Sequence, residues 1–321
     1  MRRAHDPDGA AALFVEYQTG EDAERRTLEE LAAAAVVPLA LLEPARFTHD
    51  ATEQALLWKV RQGTFPSVGA ARKSGTTVLI EDVAFPVERL ADAAVDLTRL
   101  FAKHGYDDAI IFGHAKDGNL HFVISQSFND RAAVERYARL VDDVVELVVR
   151  RYDGALKAEH GTGRNMAPFV ETEWGPEACA VMRRLKELCD PDGILNPGVL
   201  LNPDPLCHLK DVKPTPTVEE EVDKCIECGY CEPKCPSREL TLTPRQRIVL
   251  RREMTRLEAE GTDAPLLTAL EAEFPYAAVD TCAVDGLCAT ACPVGIDTGQ
   301  LTKRLRKARH SARARKAALA V

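Results

Sequence analysis

The stretch AIIFGHAKDGNLHFVIS, Ala109 to Ser125, decides the fold predicted for much of this chain. Two apolar runs flank a short polar segment that contains Asp117-Gly118, a strong turn signal, so the stretch predicts a β-hairpin. If Asp117-Gly118 is a two-residue turn, His114 and His121 face each other across the ladder. Their Cβ atoms would then lie about 4.5–5.5 Å apart on one face of the sheet.

Strand-like and helical patterns alternate on both sides of this hairpin. Strands are predicted at LFVEY (13–17), PLALLE (38–43) and TTVLIEDVAF (76–85). Helices are predicted over 21–35, 51–62, 87–103 and 175–189, together with a helix that Asn129 or Asp130 caps and whose apolar face carries Val134, Tyr137, Val141, Val144 and Val148. This mixture predicts the α+β fold class, with a sheet and packed helices.

The chain divides by composition into three parts. Residues 1–202 form the predicted α+β domain, and residues 203–220 read as a proline-rich linker. Residues 221–321 are cysteine-rich and helical, which predicts a small all-α domain that ends in a basic tail. Within it, the charged run TPRQRIVLRREMTRLEAEG predicts a helix that brings two cysteine groups together.

Composition limits the classes of protein to which this chain can belong. The formal charge of −9 over 321 residues argues against nucleic acid as a partner. No apolar run reaches the ~18–20 residues that span a bilayer, and no secretory signal is recognisable, so we expect a cytoplasmic protein. The basic run from Lys303 to Lys316 is read as a solvated helix end, with peripheral contact to the inner face of a membrane as the alternative.

The cysteines indicate iron–sulfur chemistry. None of the ten precedes Cys179, and seven lie between Cys225 and Cys292, a distribution unlike that of a disulfide scaffold. The motif CIECGYCEPKCP has the C-x2-C-x2-C-x3-C-P spacing of two-cluster ferredoxins, in which the fourth cysteine ligates the other cluster. Its four thiols are Cys225, Cys228, Cys231 and Cys235. A zinc site or buried free thiols are the alternatives.

The second cysteine group, CAVDGLCATACP, has Asp285 where a cysteine is expected. Crossed ligation assigns one cluster to Cys225, Cys228, Cys231 and Cys292, and the other to Cys235, Cys282, Cys288 and the Asp285 corner. A carboxylate is a harder ligand than a thiolate. Three outcomes stay open: a [4Fe–4S] cluster ligated by aspartate, a [3Fe–4S] cluster with an empty corner, or a ligand from elsewhere.

The hairpin histidines suit a divalent metal such as zinc. A third ligand is available in EHGTGR, where Glu159 precedes His160, and a His2Glu set with an open position is typical of catalytic zinc. An ordinary packing role for the two histidines is the alternative.

Four long motifs resemble the FAD-linked oxidase C-terminal domain, a family that includes D-lactate and D-2-hydroxyglutarate dehydrogenases. They are GHAKDGNLHF, AEHGTGRNMAPFVETEWG, DPDGILNPGVLLNP and WKVRQGTFPSVGAARKSGTTVLIEDVAFPVERL. The last resembles a bacterial branch in which a two-cluster iron–sulfur module follows in the same polypeptide. The resemblance implies FAD as a cofactor, metal ligation by His114, His121 and Glu159, and a base role for His160 toward the substrate hydroxyl. It also implies that Arg61 binds a substrate carboxylate, while Asn196 is a candidate for contact with the flavin.

Two departures from the family pattern affect the functional hypothesis. Some members have a lysine where this chain has Ile80, for which Lys73 or Arg72 could compensate. No flavin-binding domain is recognisable, so we expect a separate flavin-binding domain or subunit as a partner. The main hypothesis is a D-2-hydroxy-acid dehydrogenase module that passes electrons through its clusters to a quinone or carrier. The alternative is a non-catalytic electron-transfer subunit or fragment that depends on a separate flavoprotein.

Overall fold

The computed structural model describes residues 11–161 and 163–314, in two compact units that divide between Thr64 and Phe65. The first unit contains α1 (Asp22–Val36) and α2 (Ala51–Gln62), as predicted, and Asp50 caps α2 by accepting the Glu53 N–H. The strands predicted at 13–17 and 38–43 are wrong, because both segments are irregular. Their apolar side chains are largely exposed, and no described strand lies beside them to share backbone hydrogen bonds.

The second unit is built around an antiparallel sheet of three strands. These are β1 (Thr77–Ala84), β2 (Ile110–His114) and β3 (Asn119–Gln126), in the spatial order β1-β3-β2. The central strand β3 is buried almost throughout, because β1 and β2 flank it on both edges and its apolar residues Leu120, Phe122 and Ile124 pack into the core. The predicted β1 strand and hairpin are therefore present.

The predicted register of the hairpin is wrong. His114 pairs with Asn119 and Phe112 with His121, so His114 and His121 are not directly opposite. A 3-10 turn over Ala115–Asp117 and a left-handed Gly118 (φ 67°) form a four-residue connection instead of a two-residue turn. A Cβ on Gly118 would lie 2.1 Å from the Phe85 carbonyl oxygen, so the close approach requires glycine here.

The helices of this part are α3 (Thr64–Ala71), α4 (Leu90–Lys103), α5 (Arg131–Val145), the short α6 (Gly163–Met166) and α7 (Val170–Cys189). α4 and α5 form the main core with the sheet. Asp130 caps α5 by accepting the Ala133 N–H, and the predicted apolar face of α5 packs into the core. α7 is kinked at Gly175, the residue at which the predicted helix begins. The α+β expectation holds for this unit.

The cysteine-rich region is helical. Its helices are α8 (Pro244–Glu260), α9 (Ala264–Phe274), the short α10 (Leu287–Thr290) and α11 (Thr298–Ala308). Thr243 and Gln246 form a capping box at the start of α8, and a left-handed Gly261 ends the helix. The predicted helix between the cysteine groups is therefore present.

A buried arginine ties the sheet side of the second unit to the cysteine-rich region. Arg72 is 4% exposed, and its guanidinium donates to the carbonyl oxygens of Asp223, Lys224 and Cys225 at 2.8–3.2 Å. Two further donations, to Gly69 and Thr76, occupy the rest of its N–H groups. Arg72 is therefore not free to compensate for Ile80.

The basic run near the C-terminus is held by protein contacts where the structure describes it. Arg304 pairs with Glu219 and Glu221, and Arg309 pairs with Asp280. The last two residues of the run, 315 and 316, lie outside the described residues. No helix within the described ranges has both the length and the apolar character to cross a bilayer.

Candidate functional site: a histidine–carboxylate group and two cysteine loops

The hairpin and the loop after residue 157 bring His114, His121 and Glu159 together. Glu159 Oε1 lies 2.8 Å from His121 Nε2 and 3.5 Å from His114 Nε2. The two imidazole rings are diagonal neighbours on one sheet face, with centroids 5.4 Å apart. The potential ligand atoms of His114, His121 and Glu159 all lie within 4.8 Å of one another. This is a compact N, N, O donor set of the kind that binds zinc-like ions.

The exposure of the three side chains leaves one side of the group open. The His121 side chain is 4% exposed, whereas those of His114 and Glu159 are 51% and 49% exposed. Burial lowers the pKa of His121, an effect that the charge of Glu159 partly offsets. A neutral imidazole is the form that binds a metal, so burial favours the binding-competent state.

Asp82, which the sequence did not single out, supports the group from below. It is fully buried on β1, and its Oδ2 accepts the backbone N–H groups of Ala158 (2.9 Å) and Glu159 (2.6 Å). Burial raises its pKa, but the Glu159 N–H and the charges of His160 and Lys157 outweigh burial and hold the pKa below its ordinary value. Asp82 therefore fixes the backbone that presents Glu159.

His160 connects Asp82 to the metal-type group. Its Nδ1 lies 3.2 Å from Asp82 Oδ1, and its ring stacks on His121 with centroids 5.0 Å apart. Asp82 Oδ1 and His121 Nδ1 are buried atoms without an aligned hydrogen-bond partner in the described chain. Asp82, His121 and His160 form a second set of donors within 4.8 Å. The unmet donors and acceptors show that the site suits a further polar or ionic group.

The two other predicted site residues lie elsewhere. Arg61 lies on α2, in the first unit, and is half-buried. Asn196 is exposed and has a left-handed backbone (φ 46°) directly before Pro197, which suits a turn role. A contact of Asn196 with flavin stays a prediction.

The first cysteine loop, Cys225–Cys235, has a strained backbone that two arginines hold. Glu227 (φ 58°) and Gly229 (φ 84°) are left-handed. Arg252 donates to the carbonyl oxygens of Asp223 (3.1 Å) and Cys225 (3.2 Å) and pairs with Glu227 (2.7 Å), alongside the Arg72 contacts. Such fixed carbonyls and left-handed residues leave the thiols on a tight loop.

The second cysteine loop, Cys282–Cys292, repeats this arrangement. Val284 (φ 58°) and Gly286 (φ 73°) are left-handed at the positions that match Glu227 and Gly229. Arg306 of α11 donates to the carbonyl oxygens of Asp280 (3.2 Å) and Cys282 (2.7 Å). Asp285 thus has the place in its loop that Cys228 has in the first. It is exposed, and its Oδ1 accepts the Leu287 N–H at 3.1 Å.

Three of the thiols predicted to share one cluster lie close to one another. Cys292 lies near Cys225 and Cys231, close enough to raise the pKa of both thiols electrostatically. Burial is the larger cause, and together these effects raise the pKa of Cys231 to about 11. All ten cysteines lie within the described residues, and each is a free thiol there. Protonated, closely placed thiols on preformed loops suit a metal cluster, whose binding would displace the protons.

The second set of thiols lies near the start of α8 and of α11. Cys235 is buried beside Ser237 Oγ at 3.4 Å. Cys288, also buried, has its Sγ 3.8 Å from Asp297 Oδ1. The short helix α10 packs against the 3-10 turn Glu232–Lys234, so Cys235 and Cys288 belong to adjoining segments. The ligand sets themselves stay predictions.

Two family models cover most of the chain. Residues 1–200 match the FAD linked oxidases, C-terminal domain, and residues 221–296 match a 4Fe-4S dicluster domain. The two matches adjoin the segment predicted as a linker.

Curated relatives carry names that agree with these matches. A D-2-hydroxyglutarate dehydrogenase of Haemophilus influenzae is 27% identical over 75% of this chain and 28% of its own length. The glycolate oxidase subunit GlcD of Bacillus subtilis is 29% identical over 60% of this chain and 40% of its own length. A probable mitochondrial D-lactate dehydrogenase of Danio rerio is 32% identical over 48% of this chain and 31% of its own length. The chain therefore spans less than half the length of each of these relatives.

The first family model alone covers more than half of the sequence, and the resemblance seen in the motifs is confirmed. This chain belongs to the FAD-linked oxidase family and carries a 4Fe-4S dicluster domain after the family's C-terminal domain.

Proposed function

We propose that this chain is the substrate-side and electron-transfer part of an FAD-dependent dehydrogenase that oxidises a D-2-hydroxy acid such as D-lactate or D-2-hydroxyglutarate. The observation that carries the proposal is the group of His114, His121 and Glu159, whose ligand atoms lie within 4.8 Å of one another beside His160. The family matches and the names of the relatives support the same reading.

The side chains of the histidine site divide the chemistry between them. A divalent ion such as zinc would supply Lewis acidity toward the substrate hydroxyl, FAD would supply a hydride acceptor, and iron–sulfur clusters would supply a route for the electrons. His114, His121 and Glu159 hold the ion, and the open side admits the substrate. His160 takes the hydroxyl proton at Nε2, because its Nδ1 faces Asp82.

Several finer assignments belong to the proposal. Arg61 binds the substrate carboxylate, as the resemblance implies. The cluster of the second loop has a corner without a thiolate at Asp285, and it is a [4Fe–4S] or a [3Fe–4S] cluster. The partners are a flavin-binding domain and a quinone or carrier protein. A cytoplasmic location, with peripheral membrane contact as the variant, also stays a proposal.

Metal analysis tests the carrying observation directly. The purified chain, loaded with zinc and dialysed, should retain one divalent ion beyond its cluster iron. His114→Ala removes a half-exposed ligand without opening the core, so the ion should be lost while the fold persists. His310→Ala, an exposed histidine on a different element, is the control. Retention of the ion by His114→Ala would leave the iron–sulfur subunit as the better reading.

A further inference from the structure

Arg247 is a buried cation that lies against a cluster ligand. The residue is 2% exposed on α8, and its guanidinium donates to Cys235 Sγ at 3.7 Å and to Ser237 Oγ at 2.8 Å. Its Nε is buried without a hydrogen-bond partner. No carboxylate in the described ranges forms an ion pair with it. The positive charge therefore has no compensating anion in the polypeptide that the structure describes.

The neighbouring buried arginine shows the usual solution. Arg252, on the same helix, pairs with Glu227 at 2.7 Å and donates to two carbonyl oxygens. Burying an unpaired charge is costly, and the cost is offset by an opposite charge nearby. A neutral Cys235 thiol supplies no such charge, whereas a cluster held by thiolates is an anion at this position. Arg247 is thus placed for a state in which Cys235 is ligated.

The repeat between the two cysteine loops shows that this charge is specific to one of them. Thr243 caps the start of α8, and Asp297 caps the start of α11. Nine residues after each cap, an arginine donates to carbonyl oxygens of the preceding cysteine loop: Arg252 in the first repeat and Arg306 in the second. Four residues after each cap, the repeats differ: Arg247 stands in the first and Leu301 in the second.

The two positions create different surroundings. Leu301 is 1% exposed and belongs to an apolar core with Val222, Ile248 and Ile296, against which Cys225 and Cys292 pack. At this helix position, Cys292 therefore meets hydrocarbon, whereas Cys235 meets a guanidinium that donates to its sulfur. Arg72 and Arg252 lie on the Cys225 side, but they donate to backbone carbonyl oxygens. Hydrogen bonds to sulfur, local charge and burial are the factors by which a protein sets the potential of a cluster.

We propose that Arg247 is the counter-ion of the iron–sulfur cluster ligated by Cys235 and raises the reduction potential of that cluster. This inference rests on the iron–sulfur part of the proposed function. One-electron reduction makes the cluster more negative, and a charged N–H donor stabilises the more negative form more strongly. At the cluster ligated by Cys292, the apolar contacts of Leu301 provide no such stabilisation.

The test is an anaerobic redox titration of the full chain, reconstituted with iron and sulfide, followed by EPR. Arg247→Leu installs the residue of the equivalent position, and Arg247→Lys keeps the charge. We expect Arg247→Leu to disfavour reduction of one cluster by about tenfold, a shift of about 59 mV for a one-electron couple, with the other cluster unchanged. Arg247→Lys should keep most of the wild-type potential. Arg256→Leu, which removes an arginine paired with Glu253 and Glu260 on the same helix, is the control and should leave both potentials unchanged.

The inference is overturned if Arg247→Leu holds as much iron as the wild type and titrates identically. If Arg247→Leu fails to hold the cluster, Arg247→Gln and Arg247→Lys decide: loss with Gln and retention with Lys supports a charge role, and equal loss with both overturns it. A wild-type chain that takes up no iron would refute the dicluster part of the proposed function, and this inference with it.

Discussion

Asp82 shows how much of the histidine site depends on a buried residue behind the three predicted ligands. A single carboxylate oxygen accepts the N–H groups of Ala158 and Glu159, and the other oxygen faces His160. Ligand geometry is commonly fixed in this way by groups behind the ligands. Asp82 is a positioning residue, because it shapes the loop that presents Glu159 and orients the ring of His160.

We expect Asp82→Asn to weaken both the fold and the site. The amide keeps the shape but not the charge, so hydrogen bonds to a charged acceptor worth about 1.5–3 kcal/mol are reduced. Divalent-metal affinity should fall by about 10–100-fold, as for other supporting residues of metal sites. Urea unfolding and zinc titration measure the two effects. Asp107→Asn, an exposed aspartate, is the matched control.

The effect of Asp82→Asn on the free energy of unfolding should depend on pH. The pKa of Asp82 is lowered in the folded chain, so its ionised form stabilises the fold above the unfolded value of about 3.9. That stabilisation is lost as the pH falls through the lower folded value. The difference in unfolding free energy between wild type and Asp82→Asn should therefore be full near neutrality and shrink in acid. A difference that grows in acid would contradict the role given to the charge.

The sequence predicted the ligand types of the histidine site but not their support. The prediction paired His114 with His121, but His114 pairs with Asn119, two residues earlier on β3. His114 and His121 still share a face, because a shift of two residues preserves the alternation of side chains along a strand. Asp82 lies in an ordinary strand pattern, and its partners are more than seventy residues away in the sequence. Only the unusual Glu-Asp pair in a buried strand signalled it.

At the scale of elements, the two cysteine loops are one structural unit used twice. Each has left-handed backbone at the second and fourth residues after its first cysteine, and each has an arginine from the following helix on its carbonyls. Val284 is notable, because a β-branched residue rarely adopts φ near 58°. The sequence spacing predicted two related groups, but the arginine contacts depend on tertiary structure and were not predicted.

We expect substitutions at Asp285 and at the matching Cys228 to change the EPR spectrum in opposite directions. Asp285→Cys gives the second loop its missing thiolate, so the EPR spectrum of the oxidised, reconstituted chain should change toward that of two complete [4Fe–4S] clusters. Cys228→Asp, at the matching place of the first loop, is the reciprocal variant and should create a second irregular cluster. An unchanged spectrum in Asp285→Cys would mean that another group completes the second cluster.

Arg72 links elements that lie far apart in the sequence. Arg72→Met removes a buried donor from the carbonyl oxygens of Gly69, Thr76 and Lys224, and each such loss costs about 1–3 kcal/mol. The carbonyl oxygens of Asp223 and Cys225 keep Arg252 as a donor. We expect the free energy of unfolding to fall by about 3 kcal/mol or more in chemical denaturation. Lys73→Met, at the adjacent exposed residue, should have little effect. Equal stability of the two variants would contradict this linking role.

For the whole molecule, helix and hairpin signals predicted the helices of both units, and two strand predictions in the first unit were wrong. The predicted helices and β1 match closely because their periodic apolar faces meet a core. The segments at 13–17 and 38–43 have strand composition without a paired strand among the described residues, and composition alone could not reveal this. The family matches cover residues 1–200 and 221–296, and the predicted domain bounds stay a prediction.

At the scale of the whole molecule, the histidine site and the cysteine loops belong to the same part of the structure. They lie in one compact unit, and Arg72 connects the segment before β1 to the first cysteine loop. The central claim is that the histidine site binds a divalent ion and a D-2-hydroxy acid together.

Cobalt(II) titration of the purified chain, followed by visible absorption, tests that claim most directly. We expect one spectroscopically distinct Co²⁺ per chain at the histidine site, and we expect its spectrum to be absent in His121→Ala. Addition of D-lactate or D-2-hydroxyglutarate should change the Co²⁺ spectrum of the wild-type chain. A Co²⁺ spectrum that survives His121→Ala, or that neither hydroxy acid alters, would contradict it.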